Sequence, residues 1–223
     1  MGATLSNRKH TGHAGFTLIE LMIVVLIIAT VAAMAIPGFL SWNENERVRA
    51  AARSVADAFL LARSEAIRTG NNHLIVFGNA LGAPNPIVIV NDGPPATANC
   101  AIDAGELVFE VPPTPDVSWG SVSSLSNGAK APGDNGVGTV TAGWSFRNAG
   151  PLPADASWVL FQSDGIPRAF TPASPGCTTI GNAGEGGGGI YLTNTKRDYA
   201  IVLQPLGTTK IHRWDADASG WSN

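Results

Sequence analysis

The stretch GFTLIELMIVVLIIATVAAMAIPGF, Gly15 to Phe39, decides how the rest of the chain is read. It is apolar almost throughout, and its one charged residue is Glu20. The apolar run from Phe16 to Leu40 is 25 residues long. A helix rising ~1.5 Å per residue crosses the ~30 Å hydrocarbon core of a bilayer at that length. The residues ahead of it, MGATLSNRKHTGHAG, are polar and carry Arg8 and Lys9. Such a basic flank keeps a leader on the cytoplasmic side and sends the remainder of the chain outward. A secretory signal ends in a small-residue cleavage site after its apolar region, whereas this region runs on to Pro37. The segment is therefore expected to stay in the membrane.

A plain anchor has no use for Glu20. A carboxylate at the centre of a spanning helix costs at least ~2.5 kcal/mol on insertion scales, so it is kept for a partner or a pathway. Gly15, Phe16, Thr17, Leu18, Ile19 and Glu20 resemble the processing site of type IV pilins and type II secretion pseudopilins. The resemblance implies that a membrane peptidase, the prepilin peptidase, cuts after Gly15 and methylates the new N-terminus at Phe16. It further implies that Glu20 pairs with the N-terminal amine of an adjacent subunit during filament assembly. Opposite charges meeting in an apolar medium relieve each other's desolvation and set the register of stacking. Pro37 matches the family's helix-kinking proline, while Ala29 stands where many members have glycine.

Beyond Pro37 the apolar spacing changes. Val48, Ala52, Val55, Phe59, Ala62 and Ala66 recur at steps of four and three, which puts them on one helical face, with Arg49, Arg53, Asp57, Arg63 and Glu65 largely off it. RTGNN, Arg68 to Asn72, supplies a basic last turn and a glycine stop. Phe16 to about Thr69 thus reads as one long helix.

The remainder reads as β. His73–Gly78, Pro86–Asn91, Glu106–Val111, Ala142–Arg147, Ser157–Ser163, Gly189–Thr193, Tyr199–Gln204 and Thr209–Trp214 are short, β-branched or aromatic, and bounded by turn residues. TNTKRD suits a hairpin turn, and Asn91–Gly105 and Thr171–Gly189 read as loops. The expected fold is α+β, a long N-terminal helix with a transmembrane first half packed on a C-terminal β-sandwich-like domain. Its divisions are a leader at 1–15, the membrane and assembly half of the helix at 16–40, its amphipathic half at 41–70, and a periplasmic or extracellular β-rich domain at 71–223.

The 223 residues, 26 of them glycine and 15 proline, suffice for one compact domain with an appendage. The net charge of -3 excludes the basic body of a general nucleic-acid binder. Cys100 and Cys177 lie far apart with no Cys-x-x-Cys spacing, leaving either one long-range bridge in an oxidising compartment or two free thiols. His10, His13, His73 and His212 are scattered, and the chain shows no metal-ligand spacing, phosphate loop or nucleophile elbow. GEGGGG, Gly184 to Gly189, lacks the Lys-Ser/Thr of a phosphate loop. We therefore expect no enzyme, no cofactor and no metal. One basic group invites a nucleic-acid reading. Lys196, Arg197, Lys210 and Arg213 would meet if a hairpin turn brought them together, with Trp214 able to stack on a base. The competing reading is a solvated strand face.

ARSEAIRTGNNHLIVF, LFQSDGIPRAF and GIYLTNTKRDYAIVLQPLGTTKIHRW look like the soluble domain of the pseudopilin H and FimT/FimU minor pilin family. That resemblance implies a minor pilin near a pilus tip, with other pilins, the prepilin peptidase and the inner membrane as partners. It leaves open a pseudopilin H of type II secretion and a DNA-binding receptor, although Gly207, Thr208, Thr209 and Lys210 do not form the Gly-Arg-x-Arg pattern of the receptors. The implied location is a single pass of the inner membrane with the domain in the periplasm, then a pilus or pseudopilus filament.

Overall fold

The computed structural model describes residues 15–78, 87–106, 108–112, 114–120, 126, 128–172, 177 and 179–222. Residues 1–14 of the leader, with Arg8 and Lys9, and the expected strand start at Pro86 lie outside them. The chain divides into two compact units, Met1–Trp42 and Asn43–Asn223.

One helix, α1 (Leu18–Thr69), runs through both units. It starts two residues later than the apolar run because Thr17 takes the N-cap position, where a side-chain oxygen replaces the missing turn. In the first unit its apolar side chains are uncovered, Leu18 at 77%, Ile28 at 61% and Met34 at 84% exposure. Among the described residues, α1 is the one helix long and apolar enough to cross a membrane. It ends at Gly70, whose N–H donates to Ala66 O (3.0 Å) with φ at +73°, the left-handed stop that glycine adopts without a Cβ penalty.

In the second unit, the stripe Val48, Ala52, Val55, Phe59, Ala62 and Ala66 is buried. Two antiparallel sheets complete that core. The first has the order β3 (Val108–Val111), β2 (Ile87–Asn91), β1 (His73–Phe77), β5 (Trp158–Phe161), β6 (Pro167–Arg168). The second has the order β12 (Gly220–Ser222), β11 (Thr209–Asp215), β10 (Asp198–Leu203), β9 (Gly188–Thr193), β4 (Ser118–Trp119). A small pair joins β7 (Phe170–Thr171) to β8 (Thr179–Ile180). Ile75, Phe77, Ile89 and Phe161 of the first sheet and Ile190, Leu192, Ile201 and Leu203 of the second share one apolar cluster with the helix stripe. Side chains alternate across a strand, so the opposite faces need their own cover. Leu74, Val88, Val90 and Leu160 pack with Cys100 and Phe170. Tyr191, Ala200 and Val202 pack with Ala131 and Val140. Cover on both faces explains why these strands read as continuous apolar runs.

The strand expected at Ala142–Arg147 is corrected. Val140–Ala142 is a 3-10 turn and Gly143 sits at φ +98°, a backbone state outside the β region. Trp144 and Arg147 pair only by single bridges, to Ile190 and Asp155. Trp119 pairs with Leu192 on the same strand, β9, so two short segments share that strand and neither extends along it.

Candidate processing and assembly site

Phe16 is 85% exposed, and a Cβ added at Gly15 would meet nothing within 4 Å. Any demand for glycine at that position therefore comes from a partner rather than from this chain. Thr17 and Glu20 form a reciprocal cap. The Thr17 N–H and hydroxyl donate to Glu20 Oε2 at 3.1 and 3.0 Å, and the Glu20 N–H donates to Thr17 Oγ1 at 3.3 Å. This is a capping box, which satisfies otherwise orphaned helix donors, and it sits at the helix end that favours an anion. Thr17 was missed as a functional residue although its signal, Thr-x-x-Glu ahead of an apolar run, stands in the sequence. Pro37 lies inside α1.

Helix and β body are tied by polar contacts within the second unit. Lys196 on the β9–β10 turn pairs with Glu44, and Asn194 Nδ2 donates to Glu44 O (3.1 Å). Arg63 Nη1 donates to Gly207 O (3.2 Å), and Arg47 pairs with Asp116 (2.5 Å). The turn is built by Asn194 Oδ1, which accepts from the N–H groups of Lys196 (3.2 Å) and Arg197 (2.8 Å).

These contacts bear on the four cations of the nucleic-acid reading, which the fold distributes over the β9–β10 turn and the two faces of β11. Arg197 stays on the turn. Lys210 lies opposite Val202 and Arg213 opposite Tyr199. Three residues apart on one strand, Lys210 and Arg213 point to opposite faces.

The structure joins Cys100 to Cys177, with Cα atoms 5.1 Å apart. Asp92 sits beside this bridge, and with the two sulfurs it forms a group of candidate ligand atoms lying within 4.8 Å of one another. Sequence reading missed Asp92 because it lies on the loop after β2, with no motif to mark it.

Residues 11–36, which span Gly15, the Thr17–Glu20 cap and the uncovered start of α1, match the sequence model of the prokaryotic N-terminal methylation motif. The chain has a type IV pilin-like N-terminus. The match and the one apolar helix support a membrane-anchored precursor. No curated protein and no solved structure matches the chain.

Proposed function

We propose that this protein is a minor pilin of a type IV pilus, a structural subunit with no catalytic activity and no cofactor. It is inserted in the inner membrane, cut after Gly15, methylated at Phe16 and assembled near the filament tip, with its β body on the periplasmic side. The observation that carries the reading is the methylation motif over residues 11–36, joined to a helix that is uncovered in its first half and packed in its second. In the lone chain, Glu20 is held by Thr17. On assembly it exchanges that contact for the amine of a neighbouring subunit, so a charge that is costly in lipid ends in a pair. DNA reception is not favoured. Lys196 is engaged with Glu44, and loss of Arg8 and Lys9 with the leader leaves a more acidic chain.

Shearing of surface filaments tests the proposal. The wild-type chain should appear in the sheared fraction, and Gly15→Trp should remain in the inner membrane as an uncut precursor. A Cβ added at Gly15 meets nothing within 4 Å. A wild-type chain found only in secretion-competent envelopes that bear no surface filament would favour pseudopilin H instead. A Gly15→Trp chain that still matures to Phe16 would overturn the processing step.

A further inference from the structure

We propose that the open edge of β3 and the groove beside it form a docking site for an extended basic segment of another protein, which adds to the first sheet as an additional strand. Register sets Val159 opposite Ile75, Ile75 opposite Ile89 and Ile89 opposite Phe109. The four side chains therefore form one row across the sheet, on the face that packs against α1. The first three are 0%, 0% and 4% exposed, whereas Phe109 is 51% exposed. The core row thus ends at the sheet edge with its largest member uncovered. Beside Phe109 lies a groove of ≈ 340 Å³ whose lining includes Asp57, Ala58 and Leu61 of α1 and Phe109, Val111 and Pro112. That volume lies in the ~300–1,000 Å³ range of clefts that hold ligands. β3 is the last strand of its sheet, so among the described residues about half of its N–H and C=O groups face no strand.

Charge selects the occupant. Glu110 lies opposite Val88, on the face of the sheet away from Phe109. Asp57 stands on the groove side, and both carboxylates are exposed. Among the described residues neither is in an ion pair. A second copy pairing β3 with β3 would gather like carboxylates along one seam, which is unfavourable. A strand with Lys or Arg opposite Glu110 and an apolar residue opposite Phe109 meets opposite charge on one face and covers the ring on the other. A charge on an edge strand ordinarily discourages pairing. Here it stands next to an uncovered aromatic ring and a formed groove, so it selects the partner's sign rather than closing the edge. The backbone bonds supply affinity, and the alternating side chains supply selectivity. This role is independent of the pilin reading, since it concerns the edge of the β body alone.

The test titrates the full chain, in an uncharged detergent, with a dye-labelled Lys-Val-Lys-Val-Lys peptide and maps the contact by amide hydrogen exchange. The peptide should bind with a Kd below about 1 mM and slow exchange in β3. Glu-Val-Glu-Val-Glu, and the reordered Val-Val-Lys-Lys-Lys, should each bind at least about five-fold more weakly. Glu110→Lys should weaken the first peptide about five-fold and strengthen the acidic one. Phe109→Ser should weaken the first peptide about ten-fold. Both positions are exposed, and unchanged exchange in β1 and β10 verifies that the variants fold. Absence of binding, equal binding of the ordered and reordered peptides, or binding without slower exchange in β3 would each overturn the proposal. Slow exchange in β3 without peptide, lost on dilution, would also overturn it and assign the edge to a second copy.

Discussion

The two halves of α1 share one backbone and behave as different materials. Before Trp42 apolar residues surround the helix, and nothing among the described residues of that unit covers them: Ile19, Ile23, Val31 and Phe39 are each more than half exposed. After it the apolar residues narrow to a stripe, and Val48, Ala52, Phe59, Ala62 and Ala66 are sealed by two sheets. The difference teaches that helical propensity decides neither half. A helix apolar all round needs a non-aqueous surrounding from outside the chain, whereas a striped helix is completed by its own domain. In the first kind of surrounding Glu20 is held by Thr17 of its own chain, and the proposed function gives it a neighbouring subunit's amine on assembly. Placing Asp57 and Arg53 off the stripe of the second requires no such amine.

Phenylalanine truncation in each half gives the largest contrast. Phe59→Ala removes a side chain that is 1% exposed and stacks with Phe146 at 5.9 Å. It should destabilise the β body by about 3–5 kcal/mol. Phe39→Ala, at a site 63% exposed, should leave that stability within about 0.5 kcal/mol. Denaturant unfolding of the full chain in detergent measures both, and equal losses would break the comparison. Next in size is the bridge, which spans 77 residues. Cys100→Ser with Cys177→Ser should cost the β body about 2–4 kcal/mol in the same assay, while membrane insertion of the first half stays unchanged.

Glu20→Ala sharpens the contrast from the other side. Removal of the carboxylate should make insertion easier by up to ~2.5 kcal/mol in a translocon assay, while incorporation into filaments falls. Normal incorporation would show that the charge serves no partner. The smallest effect is in pH dependence. Burial holds His73 and His212 below the ordinary value of 6.5, with Lys210 adding to the effect on His212. Both stay neutral when folded and take up protons when unfolded near that value. The unfolded chain then binds more protons, so stability is present above pH ~6.5 and declines below it, by at most about 1.4 kcal/mol per pH unit for each histidine. His212→Gln should flatten the decline in urea titrations run between pH 7.5 and pH 5.

Long apolar periodicities were legible in the sequence. The helix end at Gly70 came from one residue type. β1, β2 and β10 lie close to their expected bounds because burial on both faces makes them dense in Val, Ile, Leu and Tyr. Two-residue strands such as β4, β6, β7 and β8 have no period to read, and the partners that create them are distant in the chain. Ala142–Arg147 misled because Trp144 and Phe146 are strand-like residues, while Gly143 between them and Ala142 requires a turn. At the site, Gly15, Phe16 and Glu20 were legible as a motif. The Asp92 contact to the bridge was not, because it depends on how β2 ends against Asn72.

The central claim is that this chain is made as a pilin-like precursor and matures at Gly15. Intact-mass and N-terminal fragment spectrometry of the protein recovered from its native membrane tests it most directly. The account predicts a chain beginning at Phe16 with a methylated amine and an otherwise unmodified Thr17 to Glu20. A chain that retains residues 1–15, or begins after the apolar run, would contradict it.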